Sequence, residues 1–379
     1  MFLSMSARYI LVVFLTTFFA TLSYRRTKKL KKKGREDFFF YCLTIITALL
    51  FAGLRTKYND TTQYIYSYLY DAERLDIFLA RLFAGSLSFG DNLGFWFVSS
   101  LFKTIGLNEH WFIMIFSSFH VLVYFWFIKK HSDIFPLTVF LFMLDGFSLL
   151  LAAMKQVTAT AIALIALDRF ISGKRARFYI LVFVAMLFHP YVFIYLSVPF
   201  IYKRRPWTMT TLILLIAFML FGAFSRNAVD VMVGVTRAMG DFGYSADYIL
   251  SGKGVNIIRF LVYLSPVFLS MVYRKELYED SDAKENLFSQ LMILSMSFMF
   301  IAIFVATILV GRLPSYFTVP SKIATAWMLN KLMKRGHIVY IAVAVILFFI
   351  FFVYEEFINR NFDVRYTCIS LWQLLGLTV

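Results

Sequence analysis

Residues 9–37 read YILVVFLTTFFATLSYRRTKKLKKKGRED, an apolar run that is followed by a strongly basic one. A secretory signal peptide has the opposite order, with its positive charges before the apolar segment. The run is therefore predicted to be a retained first transmembrane helix. Lys and Arg accumulate on the cytoplasmic side of membrane proteins, so the basic stretch predicts an inner loop and an N-terminus outside.

The composition of the whole chain agrees with a bilayer as its solvent. Of the 379 residues, 60% are hydrophobic and 16% are charged, and the mean hydropathy is +0.73. A soluble domain has about 45–50% apolar and about 25% charged residues. In a soluble protein the net charge of +16 would indicate nucleic acid or an acidic partner. Here most of it falls in the predicted inner loops, so no nucleic-acid partner is expected.

Apolar runs of about 17–25 residues are long enough to cross a bilayer as helices. The run 177–202 is interrupted by His189-Pro190, and because proline breaks a helix it predicts two short spans. Residues 92–106 are short and carry Lys103, which predicts an interfacial or re-entrant helix. The other predicted spans are 7–24, 38–54, 111–128, 134–151, 155–171, 207–223, 256–273, 287–310, 315–330 and 338–354.

The resulting prediction is an all-α, polytopic integral membrane protein, with residues 1–379 as a single transmembrane domain. It has about twelve transmembrane helices and both termini outside, because this orientation places every basic cluster on the inner side. The large outer loops are 55–110, which holds the interfacial helix, and 224–255. Long loops rich in polar and aromatic residues are where binding and catalytic residues concentrate.

The first candidate site lies in GLRTKYNDTTQY, residues 53–64. Arg55 is suited to grip a phosphate in a bidentate way, and Asp60 is suited to orient a neighbour or act as a base. Tyr64 offers a ring to stack on a sugar. The structural alternatives are a surface ion pair and an aromatic belt at the membrane interface.

Three further polar sites fall at the same predicted outer level. Lys155 and Gln156 open the run VTATAIALIAL, His189 lies in LFHPY, and Arg312 and Tyr316 lie in GRLPSY. Ionisable residues in or beside spans are expensive and indicate function, although a snorkelling lysine or a hydrogen-bonded structural histidine is the alternative. Cations, one potential base and aromatic rings on one face are what a transfer reaction on a lipid-linked diphosphate needs.

The sequence contains no Gly-rich phosphate loop, zinc motif or GxSxG elbow. No ATP-driven chemistry, cofactor or metal is therefore expected. Cys42 and Cys368 are predicted to lie on opposite sides of the membrane, which makes a bond between them implausible.

These motifs resemble the EpsG/Wzy family of bacterial polysaccharide repeat-unit polymerases. The family shares an Arg followed by an Asp and a Tyr after the second span, an Arg-Gln pair opening a later helix, and an F-H-x-S-like turn. An Arg followed by an aromatic residue comes near the penultimate spans. The resemblance covers residues 50–320 in order. Lys155 replaces the usual Arg, which loses the bidentate fork, and Tyr191 stands where a small hydroxyl residue is usual.

The resemblance implies a glycosyltransferase in the bacterial cytoplasmic membrane that joins undecaprenyl-diphosphate-linked oligosaccharides at the outer face. Arg55, Lys155 and Arg312 would hold the donor diphosphate, with Gln156, Tyr64 and Tyr316 as further substrate-binding residues. His189 would be the base, with Asp60 as its orienting partner or as an alternative base. A chain-length regulator and a flippase of the same pathway are possible partners.

Two other function classes remain open from the sequence. A polyprenyl-phosphate-sugar-dependent glycosyltransferase would use acidic residues of the first outer loop, such as Asp71, Glu73 and Asp76, often with a metal. A flippase for lipid-linked oligosaccharide also has many spans and internal cations, but it usually shows two similar halves, which this sequence does not.

Overall fold

The computed structural model describes residues 4–31, 36–88, 91–224, 256–304 and 308–377. Helices dominate these residues, as an all-α membrane protein requires. The chain divides into two compact units. Unit 1 comprises Met1–Leu87, Asn92–His189 and Val345–Val379, and unit 2 comprises Ser88–Asp91 and Pro190–Ala344.

The first helix of unit 1, Met5–Leu30, extends beyond the predicted span 7–24 into the basic stretch that was predicted to be a loop. The side chain of Ser4 caps the first helix, and Asn108 caps the helix that starts at residue 109. Lys28 and Lys29 lie in the last turn of the first helix, where the helix dipole favours cations. The elements are α1 (Met5–Leu30), α2 (Phe39–Gly53), β1 (Arg55–Lys57), α3 (Thr61–Tyr66), α4 (Leu75–Phe83), α5 (Leu93–Thr104), α6 (Glu109–His131), α7 (Phe135–Ala152), α8 (Met154–Ile171) and α9 (Arg175–Met186).

The core of unit 1 lies around α6, α7 and α8. These helices bury most of their side chains, and α8 is lined by small buried residues such as Ala159 and Ala163, which allow close helix packing. In contrast, α1 exposes large apolar side chains, including Phe14 and Phe18. A helix with that much exposed apolar surface requires lipid rather than water beside it.

The chain termini and the residues after α2 meet at one end of unit 1. The short strand β1 pairs antiparallel with β2 (Thr367–Cys368), and Arg55 lies opposite Cys368. The hydroxyl of Ser6 donates to Asp363 at 2.8 Å, which joins the start of α1 to the C-terminal segment. These contacts bring the start of α1, the end of α2 and the C-terminal segment together.

The predicted outer loop 55–110 is largely helical. It contains α3, a π-helical turn at Ser67–Asp71, α4 and α5. The interfacial helix predicted at 92–106 is α5, and the amide of Gly94 donates to Leu187 O at 2.9 Å. This helix therefore packs on the turn that precedes His189.

The run 177–202 is broken at His189-Pro190, as predicted. The first half is α9, but the second half is mainly a 3₁₀-helix, Pro190–Ser197, followed by α10 (Val198–Ile201). Pro190 opens the 3₁₀-helix and Pro199 lies in α10, so the second segment lacks two amide donors that a continuous α-helix would use. A 3₁₀-helix rises about 2.0 Å per residue, which lengthens this segment.

Unit 2 is built around the helix Ala283–Phe304. It packs against several neighbouring helices and is mostly buried. The elements are α11 (Met209–Phe224), α12 (Ile257–Val272), α13 (Arg274–Tyr278), α14 (Ala283–Phe304), α15 (Ile308–Arg312) and α16 (Thr318–Lys334). The chain then continues through α17 (Val339–Phe352), a π-helical turn at Val353–Asn359, α18 (Phe362–Arg365), β2 and α19 (Leu371–Leu374).

Five helical segments among the described residues are long and apolar enough to cross a membrane. Shorter apolar helices accompany these segments. The helix α8 has 18 residues, but it is not among the five because it carries three charged residues, Lys155, Asp168 and Arg169. The total of about twelve spans stays a prediction. Of the predicted outer loop 224–255, residues 225–255 lie outside the described residues. The five segments are Met5–Leu30, Glu109–His131, Phe135–Ala152, Ala283–Phe304 and Val339–Asn359.

Replacing Gly94 with Ala tests the packing of α5 on the turn before His189. An added Cβ would lie 2.8 Å from the ring of Phe188 and 3.1 Å from Leu187 Cβ. We expect Gly94→Ala to destabilise the protein by about 1–3 kcal/mol, because a tightly packed core resists an added carbon. The measurement is thermal unfolding in detergent. Gly311→Ala is the matched control, since no atom lies within 4 Å of its added Cβ; equal melting temperatures for the two variants would contradict the packing.

Candidate functional site

Arg55 follows the second helix directly and turns into the bundle. Gly53 ends α2, and because it has no side chain Met114 of α6 approaches closely; a Cβ there would lie 2.3 Å from the Met114 sulfur. The pairing of β1 with β2 then fixes the backbone at Arg55. Its side chain is 1% exposed.

The Arg55 guanidinium is held by neutral acceptors from three elements. Nε donates to Thr61 Oγ1 at 3.1 Å, and Nη1 donates to Ser117 Oγ at 2.7 Å and to the Ala52 carbonyl. Nη2 is buried and has no hydrogen-bond partner among the described residues. Burial lowers the pKa of Arg55 to about 10, so the group is still a cation at neutral pH. A buried cation with an open donor is an unfavourable state that an anionic or hydroxyl-bearing ligand would relieve.

Asp60 and Tyr64 lie on the short helix that begins beside Arg55. Asp60 precedes α3 and is half-buried, and its carbonyl accepts from the Tyr64 amide at 3.0 Å. It is Thr61, one residue after Asp60, that contacts Arg55. The Thr61 hydroxyl also lies 3.4 Å from Leu151 O, which connects α3 to the end of α7.

Lys155 and Tyr64 meet on the ring of Phe95. The helical conformation is interrupted at Ala153, between α7 and α8, and Lys155 follows in the first turn of α8. Its Nζ lies 4.8 Å from the centre of the Phe95 ring and 5.3 Å from that of Trp96. The Tyr64 ring centre lies 5.8 Å from that of Phe95. The helix α5 thus supplies the aromatic surface on which a cation and a tyrosine converge.

His189 directly follows Phe188, which packs on the same group of rings. It is 8% exposed and follows the end of α9, with its amide donating to Ala185 O at 3.2 Å. The preceding residue, Phe188, packs on a cluster that we call the aromatic cluster. Its buried members are Tyr68, Ala72, Phe95, Phe112, Ile113, Phe116 and Met154, and Tyr64, Ile65, Trp96, Val98, Phe102 and Phe188 pack against them.

Gln156 and the residues of unit 2 complete the predicted set. Gln156 is buried on α8, next to Lys155. Arg312 ends α15 and is half-buried, whereas Tyr316 is fully buried in a 3₁₀-turn of unit 2. The hydroxyl of Tyr195 donates to Tyr316 O at 2.8 Å, which anchors that turn. The burial of Tyr316 was not expected from the sequence.

The EpsG family model matches residues 37–370, which include β1, the aromatic cluster, His189 and β2. The chain belongs to the EpsG family. EpsG is a Wzy-type polymerase family, so this membrane protein has a polymerase-type role in polysaccharide synthesis. Searches of curated proteins and of solved structures gave no match.

This EpsG-family chain has a buried histidine that the sequence argument missed. His120 Nε2 lies 2.7 Å from Thr158 Oγ1, and Thr158 donates its own proton to Met154 O at 2.8 Å. We therefore assign Nε2 as the donor and Nδ1 as the acceptor of the imidazole. Nδ1 is buried and has no hydrogen-bond partner among the described residues. An ionisable residue inside the predicted span 111–128 was the signal that could have found it.

His120 lies one helical turn after Ser117, the residue that accepts from Arg55. The EpsG-family site therefore has an open donor on Arg55 and an open acceptor on His120 along one face of α6. A hydroxyl group accepts from a donor and donates to an acceptor, so such a pair is suited to a water molecule or a sugar hydroxyl.

A buried network of ionised groups near the C-terminus of the chain was also not predicted from the sequence. The Tyr58 hydroxyl donates to Glu356 at 2.8 Å, and Arg360 donates to the same carboxylate at 2.9 Å. Arg360 also lies 3.2 Å from Glu355. Burial raises the pKa of Tyr58, and the charge of Glu356 raises it further. The network ties the C-terminal segment to the loop that carries Arg55, and the EE pair at the end of an apolar run was its only sequence signal.

Replacing Glu356 with Ala tests this network. The change leaves the Tyr58 hydroxyl without its acceptor and removes one of two carboxylates from Arg360. We expect a loss of about 3–5 kcal/mol in the free energy of unfolding, since one partner of a buried ion pair is removed. The measurement is chemical unfolding of the purified protein in detergent.

Glu73→Ala is the matched control for Glu356→Ala. Glu73 pairs with Arg81 at 3.1 Å, but this pair is exposed to solvent. Exposed pairs contribute about 0–1 kcal/mol, so the control should unfold almost as the parent does. Similar small effects of the two changes would show that the Tyr58–Glu356 network does not stabilise the fold.

Proposed function

We propose that the chain joins undecaprenyl-diphosphate-linked oligosaccharide repeat units into a surface polysaccharide at the outer face of the bacterial cytoplasmic membrane. The observation that carries the proposal is the Arg55 guanidinium, buried among neutral acceptors with Nη2 open. A leaving diphosphate develops negative charge, and a preorganised buried cation stabilises that charge more strongly than one in water. Membership of a Wzy-type polymerase family supports the same reaction.

In the proposed reaction, a hydroxyl oxygen of the acceptor repeat unit attacks the anomeric carbon of the donor glycan. The bond from that carbon to the diphosphate oxygen breaks, and the undecaprenyl diphosphate leaves with the electron pair. The hydroxyl proton passes to a base, which we assign to His189, with Asp60 as its orienting partner or an alternative base. The growing chain is thereby transferred to the new lipid-linked unit.

Positioning of the substrates falls to the residues around Phe95. Lys155 is held over the rings of Phe95 and Trp96, where its ammonium can join Arg55 in binding the diphosphate. Tyr64, which packs on the Phe95 ring, offers an aromatic face to a sugar. Gln156 is assigned as a further polar contact to the substrate. Arg312 and Tyr316 of unit 2 are assigned to substrate binding as well.

Replacing His189 with Ala tests the base. In a strain lacking the native gene, His189→Ala should leave single repeat units at the surface and no long chains, because the acceptor hydroxyl keeps its proton. The measurement is the length distribution of the surface polysaccharide on a gel, with the protein quantified in the membrane fraction. His110→Ala, at the start of α6, is the matched control and should support long chains. Normal long chains from His189→Ala would remove His189 from the mechanism.

The same strain separates the function classes. Loss of a polymerase leaves single repeat units at the surface, whereas loss of a flippase leaves none. A strain without the gene that displays no repeat units would therefore overturn the proposed polymerase. Dependence of chain growth in membranes on an added divalent ion would instead favour the polyprenyl-phosphate-sugar-dependent enzyme.

Replacing Arg55 with Lys tests whether the guanidinium fork is needed. Lysine keeps the positive charge, but it has a single ammonium group. That group cannot donate to Thr61 and Ser117 and also offer the open donor that Arg55 Nη2 provides. We expect polymer synthesis to fall by about 100- to 1,000-fold, in line with the loss of one preorganised electrostatic contact. The measurement is the amount of long-chain polymer per unit of membrane-inserted protein.

Arg81→Lys is the control for Arg55→Lys, since Arg81 forms only an exposed pair with Glu73. It should leave polymer synthesis unchanged. Full activity of Arg55→Lys would reduce the role of Arg55 to that of a positive charge. Arg312→Ala, measured in the same way, tests the predicted cation of unit 2 separately.

A further inference from the structure

A second polar feature of unit 1 lies at the opposite end of α6 from the candidate site. A cavity of about 640 Å³ opens there among the ends of α1 and α6 and the starts of α2 and α7. We call it the basic cavity, because it is lined by four lysines: Lys28, Lys31, Lys129 and Lys130. The proposed reaction uses none of these residues.

The lysines of the basic cavity outnumber the acidic side chains that line it, which are Glu36 and Asp133. Lys129 is paired with Glu36 at 3.3 Å, and Lys130 with the buried Asp168 at 2.6 Å. Lys28 and Lys31 have no carboxylate within ion-pair distance in the described part of the chain. The cavity therefore keeps an excess of positive charge that its own carboxylates do not neutralise.

Aromatic rings hold three of these lysines along the wall. The Nζ of Lys28 lies 4.5 Å from the centre of the Tyr24 ring, and that of Lys129 lies 4.1 Å from the Tyr41 ring. The Nζ of Lys130 lies 5.2 Å from the Trp126 ring. Tyr and Trp prefer the headgroup level of a membrane, and lysines beside them keep their ammonium groups at that level. The cavity is therefore built at the depth of lipid headgroups.

Exposed aromatic side chains lie on the two helices whose ends form the basic cavity, α1 and α2, or next to them. Phe38 and Phe39 at the start of α2 are 75% and 60% exposed, and Phe18 of α1 is also exposed. A free phosphate or a soluble metabolite would leave these rings uncovered, whereas acyl chains would lie against them. The surroundings of the cavity thus favour a ligand with a charged head and an apolar tail.

We propose that the basic cavity binds the phosphate-bearing headgroup of an anionic phospholipid, with the ammonium groups of Lys28 and Lys31 as its main contacts. The excess of Lys and Arg at this end predicts the cytoplasmic leaflet, where basic pockets between helices bind such headgroups. The proposal does not depend on the polymerase reaction, because the site shares no residue with it. Its ligand is a resident lipid rather than the lipid-linked substrate.

The experiment is lipid titration of the purified full-length protein in detergent, read by native mass spectrometry. The probes are phosphatidylglycerol, phosphatidylcholine with the same acyl chains, and glycerol 3-phosphate, which carries the phosphate without a tail. The test variant is Lys28→Gln with Lys31→Gln. The matched control is Lys174→Gln with Arg175→Gln, which removes two exposed charges at the same end of the unit but outside the cavity.

We expect one saturable binding site for phosphatidylglycerol and weaker binding of phosphatidylcholine. The affinity for phosphatidylglycerol should fall by about thirtyfold in the test variant, since each basic residue near an anionic headgroup contributes about fivefold. The control should lose much less. Equal losses in both variants would show general attraction to the basic face and overturn the site. Equal binding of phosphatidylcholine would overturn recognition of the anion, and tight binding of glycerol 3-phosphate would overturn the choice of a lipid.

Discussion

A guanidinium buried inside a helix bundle must find its acceptors in the protein, because a buried donor without an acceptor is costly. Arg55 finds them on three elements: the Ala52 carbonyl of α2, Thr61 of α3 and Ser117 of α6. Those three bonds fix where α2 and α3 meet α6. Because none of the acceptors is a carboxylate, the positive charge is still available to a ligand, and this is what makes the site suited to a diphosphate.

The same constraint explains how two breaks in the helices are tolerated. A break frees carbonyl groups that a continuous helix would satisfy, and a buried carbonyl without a donor is costly. The break at Ala153 exposes Leu151 O, which lies within 3.4 Å of the Thr61 hydroxyl. The turn before His189 exposes Leu187 O, which accepts from the Gly94 amide. Residues of the segment 55–110 therefore supply a hydrogen-bond donor at each break, Thr61 at the first and Gly94 at the second.

Much of the helical organisation was predictable because it depends on local properties of the chain. The apolar runs 111–128 and 134–151 became α6 and α7, and the short run 92–106 became the separate helix α5. The break at His189-Pro190 was equally readable, since proline lacks the amide that a helix needs. The 3₁₀ geometry after Pro190 was not, because the choice between i+3 and i+4 bonds depends on how the segment packs.

Hydropathy and the distribution of Lys and Arg thus determined the membrane class of this protein, the order of its helices and a short set of polar candidates, because each of these follows from neighbouring residues. Only the tertiary structure decided which candidates meet. It placed Tyr64 and Lys155 on one phenylalanine ring and left Arg55 with an open donor. It also paired Tyr58 with Glu356, 298 residues away in the chain. Contacts across such separations depend on the packing of whole helices, and no local pattern of residues encodes them.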